Sequence, residues 1–153
     1  MNDFFVDYQK ALALKDIGFA EPCFGVYGYL PPEQSSERLT TACPPDRLWY
    51  LHEIRDSERN RLMGFGDVIK IGEYVPASTF QQAFRWFREK HNLFGCIDLS
   101  NSTSSCWWMR IDDIITNDYV YHCLDDKLSY PTYEAAEQSC LTKLIEIVQN
   151  KKV

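Results

Sequence analysis

Apolar residues recur at i, i+3, i+4 and i+7 through Phe80, Ala83, Phe84 and Phe87, the spacing that lines one face of an α-helix. The pattern predicts a helix over 78–93. Ser78 and Gln81 have the spacing of a capping box, which gives partners to two N-terminal amides of a helix. Asn92 is placed to cap its end. A second helix is predicted over 3–17, with Phe4, Phe5, Tyr8, Ala11 and Leu12 on one side. Gly18 follows where a C-terminal cap needs positive φ, and Phe19 returns to the core. The last helix is predicted over 132–149. Thr132 is its N-cap, and Tyr133, Ala136, Cys140, Leu144 and Ile147 form its apolar stripe.

Between the helices the pattern shortens to that of strands. Residues 23–30 are aromatic-rich, and two internal glycines suggest a bulge or a close backbone approach. Pro31-Pro32 ends that run, and a loop rich in Ser, Thr, Glu and Pro continues to Asp46. Residues 47–54 and 65–75 read as the two arms of an inserted hairpin around a charged turn. Residues 94–99, 105–115 and 118–124 read as a meander. Together these elements predict one α+β domain over 1–153. It has two layers, an antiparallel meander with three helices mainly on one face, and a loop or hairpin insertion at about 31–64. Alternation along the middle strand directs Trp107, Met109 and Ile111 inward and Trp108 with Arg110 outward. The same alternation places Tyr119 and Tyr121 on one face.

Composition narrows the functional classes. Hydrophobic residues make up 45% of the chain, enough for a core at this length. A formal net charge of −6 disfavours a phosphate-backbone binder, which needs clustered Lys and Arg, so no nucleic-acid partner is expected. No apolar run approaches the roughly 20 residues of a membrane span. Met1-Asn2-Asp3 opens no secretory signal, which points to a cytoplasmic chain. Cys23, Cys43, Cys96, Cys106, Cys123 and Cys140 show neither a C-x-x-C pair nor zinc spacing, and read as reduced, buried thiols.

Candidate chemistry is sparse. His52, His91 and His122 share no ligand spacing with one another. His91 reads as a packing residue at a helix end, and His122 has no cysteine beside it in a nucleophile signature. Asp112 and Asp113 point to opposite faces of a strand. Asp125 and Asp126 sit in a turn. Gly64 and Gly66 lack the rest of a dinucleotide fingerprint. The Ser/Thr/Asn loop at 100–105 reads as a connection. No catalytic residue, metal or cofactor is expected, and no enzyme. The aromatic surplus in predicted strands is the informative feature. Trp49, Tyr50, Arg55, Trp108, Arg110, Tyr119 and Tyr121 are the candidate binding residues, because Trp, Tyr and Arg are the side chains that dominate recognition surfaces.

Three strings carry a resemblance: residues 18–25 (GFAEPCFG), 80–90 (FQQAFRWFREK) and 130–147 (YPTYEAAEQSCLTKLIEI). Together they resemble a family of small uncharacterised proteins of gut Bacteroidales and their phages. The segment at about 31–64 is longer than in that family. The resemblance implies a bacterial or phage accessory protein, of the kind that binds and blocks host defences, and supplies no catalytic residue. The expected function is non-enzymatic binding of a host or self partner through an aromatic surface or the insertion. The alternative is sequestration of a small anionic ligand such as a nucleotide, with aromatics on the base and Arg55, Arg59 or Arg61 on the phosphates.

Overall fold

A computed structural model describes residues 4–23, 25–28, 48–50, 74–99, 106–124, 126 and 128–151. Among these residues are three helices and two antiparallel sheets, so the class is α+β. The elements are α1 (Tyr8–Asp16), β1 (Gly25–Gly28), β2 (Leu48–Tyr50), β3 (Tyr74–Ala77), α2 (Phe80–His91), β4 (Leu93–Leu99), β5 (Trp107–Asp113), β6 (Tyr119–His122) and α3 (Tyr133–Lys151). Contacts divide the chain into two compact units, Met1–Thr79 and Phe80–Val153.

In the first unit the chain enters extended, and the Val6 N–H donates to the Ser78 carbonyl. Asp7 then starts α1: its carboxylate accepts the Lys10 N–H at 2.9 Å and pairs with the Lys10 ammonium. The helix therefore begins at Tyr8 rather than at residue 3. Its buried residues are Ala11 and Leu14, while Phe4 is 72% exposed. The exit is as expected. Gly18 has φ +102°, its N–H donates to Lys15, and the Phe19 N–H donates to Leu14. These are the two bonds of a Schellman motif, and Leu14 and Phe19 are both buried.

The sheet of this unit has the order β2-β1-β3. Val26 lies opposite Trp49 on one side and Pro76 on the other. β2 and β3 thus flank β1; residues 51–73, which hold most of the hairpin expected at 47–54 and 65–75, lie outside the described residues. Consecutive Val26 and Tyr27 are both buried, as suits a central strand covered on both faces. Its register runs on both sides without the bulge its glycines suggested. Pro76 lies in β3, which among the described residues pairs as a strand only with β1, a position where a residue without an N–H is tolerated. α1 packs on β3, the Tyr27 hydroxyl donates to the Val6 carbonyl at 2.6 Å, and the Tyr8 ring meets Tyr27 edge-on. Of the insertion expected at about 31–64, only β2 lies among the described residues.

The second unit holds the meander, in the order β4-β5-β6, with α2 and α3 packed on β4 and on each other. Phe80, Ala83, Phe84 and Phe87 are buried, as their spacing predicts. The Ser78–Gln81 capping box is not made. The helix begins at Phe80, Ser78 is fully buried, and its hydroxyl makes no hydrogen bond among the described residues. Asn92 ends α2 with φ +56°, and its carbonyl accepts the Ile114 N–H. Thr132 caps α3 by accepting the Ala135 N–H. The buried stripe of α3 is Ala136, Cys140, Leu141, Leu144, Ile145 and Val148. It is rotated from the expected one, so Tyr133 is exposed and Ile147 half-buried. Among the described residues no helix is long and apolar enough to cross a membrane.

Candidate functional site

The register of the second sheet sorts its side chains into two faces. Gly95 lies opposite Ile111, Ile97 opposite Met109, and Leu99 opposite Trp107. Residues directly opposed on antiparallel strands share a face. This one faces the helices: Met109 and Ile111 are buried, and the Trp107 ring meets Tyr133 of α3 edge-on at 5.3 Å. Phe94, Cys96 and Asp98, opposite Asp112, Arg110 and Trp108, therefore occupy the other face, on which neither helix packs.

That open face is a layered set of partners. The Trp108 indole lies 4.9 Å from the His122 ring, tilted by 40°. Arg110 Nε donates to Asp112 Oδ2 at 3.0 Å, two residues along the same strand. The Cys96 thiol donates to Asp98 at 3.6 Å. Phe94 is exposed at one end of the face. His122 Nδ1 accepts the Leu124 N–H, which fixes the ring beside Trp108. Burial first, then Asp98, pushes the Cys96 thiol up from its ordinary value, against the pull of Arg110. A thiol held protonated in this way is a poor nucleophile.

The sequence-derived candidates separate on this geometry. Trp108 and Arg110 lie together on the open face as alternation requires. Tyr119 and Tyr121 do not share a face. Tyr121 is opposite Ile111, on the helix side, with the Lys143 ammonium of α3 4.6 Å from its ring centroid. A register shift at Ile111/Asp112 then brings Tyr119 opposite Asp112, on the open side. A bulge of this kind adds a residue to one strand and so breaks the alternation from which a shared face was read. Burial, followed by the hydrogen bond its hydroxyl donates to Asp126, raises the Tyr121 pKa above the ordinary phenol value. Trp49 and Tyr50 belong to β2 in the first unit, and Arg55 lies outside the described residues. Trp86 of α2 is only 5% exposed, with its ring against Phe87 and His91.

The Cys123 thiol is buried and accepts the Met109 N–H, so it points away from the stacked face of His122. Asp113 accepts the Ile115 and Thr116 N–H groups, a turn role distinct from that of Asp112. Among the described residues no group of His, Cys, Asp and Glu is arranged to hold a metal. His52, Cys43, Gly64, Gly66 and the 100–105 loop lie outside the described residues. Phe94, Cys96, Asp98 and His122 join the face without having been candidates. Their own strands alternate visibly, but only the pairing register sets them on the face of Trp108. No protein-family model, curated protein or solved structure matches the chain.

Proposed function

We propose that this chain is a non-enzymatic interaction protein that binds a partner protein through the open face of its second sheet. The carrying observation is the Trp108 indole packed against the tilted His122 ring, beside Arg110, on the side of the sheet that α2 and α3 leave uncovered. Aromatic and Arg side chains give large contact area with directional polar tips, which is how interface hot spots are built. Arg110 of this face is already paired with Asp112, so a partner meets a guanidinium held in place. The resemblance to small Bacteroidales and phage proteins supports a cytoplasmic accessory role, directed at a host component such as a defence protein.

The test compares the wild-type chain with Trp108→Ala in affinity capture from a bacterial host lysate, with circular dichroism as the check on folding. The expected result is a specific protein retained by the wild type and lost by the variant. Capture unchanged by the substitution overturns the role of this face. Native mass spectrometry separates the alternative, a small anionic ligand stacked on the same aromatics. A retained small molecule, released by Trp108→Ala, replaces the protein-partner reading.

A further inference from the structure

Three rows of side chains cross the open face of the second sheet. Asp112 lies opposite Phe94 and Tyr119, Arg110 opposite Cys96 and His122, and Trp108 opposite Asp98. The first row ends in two exposed aromatics, Phe94 and Tyr119. Its carboxylate, Asp112, is taken by Arg110 at 3.0 Å. Arg110 is thereby committed, and the third row holds no cation among the described residues. Asp98 of that row is exposed. Among the described residues its carboxylate accepts a hydrogen bond from the Cys96 thiol at 3.6 Å, a neutral donor that leaves its charge in place. Residues 100–105, next along the chain, contain no charged side chain.

The register sets that carboxylate beside an aromatic ring. Residues directly opposed on antiparallel strands have Cβ atoms about 4.5–5.5 Å apart. Trp108 is half-buried, and the His122 ring packs against it from β6, on the side of β5 away from Asp98. An indole with a carboxylate next to it attracts a cation in two ways, through the negative face of the ring and through charge. A planar guanidinium uses both at once, stacking on the ring while its N–H groups reach the carboxylate. The field of the face has the same sign. Asp98 and Asp112 against Arg110 leave these rows one negative charge in excess among the described residues, on a chain of formal net charge −6. We infer that the partner of the open face presents an arginine side chain, which stacks on Trp108 and pairs with Asp98. The inference rests on the binding role proposed for that face and adds the chemistry of what it binds. An anionic ligand meets a field of the wrong sign there.

The experiment titrates the full, isotope-labelled chain with an acetylated pentapeptide amide, a central arginine between glycines, and follows the Trp108 indole N–H by nuclear magnetic resonance. The arginine peptide should shift that signal saturably, and added salt should weaken its binding. The same peptide with citrulline, a neutral isostere, should bind about tenfold more weakly, and with glutamate it should not bind. Asp98→Asn should weaken the arginine peptide about threefold and leave the citrulline peptide unchanged. Absence of a Trp108 shift with the arginine peptide, equal binding of the arginine and citrulline peptides, or an unchanged affinity in Asp98→Asn overturns the inference. So does binding of adenosine monophosphate at Trp108 more tightly than the arginine peptide, which gives the face to an anion. Failure of the arginine peptide with Trp108-dependent capture retained removes the arginine alone and leaves the open face standing. Failure of both removes both.

Discussion

Gly95 shows how tightly the second unit is built. A Cβ at this position would lie 2.7 Å from Phe84 Cε1 and 2.8 Å from Cys140 Sγ, closer than real Cβ contacts come. The strand therefore approaches both helices only because the residue has no side chain. Gly95→Ala should lower stability by about 1–3 kcal/mol, the usual cost of overpacking a close-packed core. Urea unfolding measures this directly, and Cys140→Ala added to Gly95→Ala should restore part of the loss. A neutral Gly95→Ala would show that the helices stand further off. Phe84 was readable from its helical spacing. The glycine beneath it was not, since a glycine within a strand signals a close approach without naming its neighbour.

At the level of elements, caps and turns decide where each segment starts. Asp7 fixes α1 by accepting the Lys10 N–H, and the Lys10 ammonium sits on the same carboxylate. Partial burial works to raise the Asp7 pKa, but the hydrogen bonds and charge of Lys10 outweigh it and hold the group below its ordinary 3.8. A depressed folded-state pKa contributes stability that is present above the unfolded value and is lost as pH falls through the folded one. Asp7→Asn should therefore flatten the acid limb of stability below about pH 4 while keeping a competent cap, whereas Asp7→Ala should cost about 0.5–2 kcal/mol at neutral pH. Thermal melts across pH distinguish the two variants. An unchanged acid limb in Asp7→Asn would remove the ion pair from the account. Gly18, Asn92 and Thr132 were legible as caps because each has a local chemical reason. Ser78 was misread because its surroundings, not its spacing, decide where the hydroxyl goes; fully buried, it lies off the helix start at Phe80.

For the whole molecule, each of the two units buries a thiol. Burial, reinforced by Glu21, pushes Cys23 up to about 12. Burial, with smaller contributions from Cys96 and Glu137, pushes Cys140 up to about 12. Thiolate is the reacting species. In the native chain at pH 8 neither cysteine should react with iodoacetamide on the timescale that labels a free thiol, and both should react in denaturant. Peptide mapping by mass spectrometry reads each site and so each unit. Rapid native labelling of Cys140 would contradict its place against Gly95.

The sequence by itself determined the three helices, the strands of the meander, most of the helix ends and the outward position of Trp108 with Arg110. Those follow from periodicity and local hydrogen bonding, which act over a few residues. Tertiary structure alone decided that β1 lies between β2 and β3, that Trp86 is buried, and that Tyr121 joins the helix side while Tyr119 does not. It also placed Phe94, Cys96 and His122 on the face that carries Trp108. Register, bulges and edges arise from pairing between segments far apart in the chain, and a one-residue shift in that pairing reassigns side chains to the opposite face.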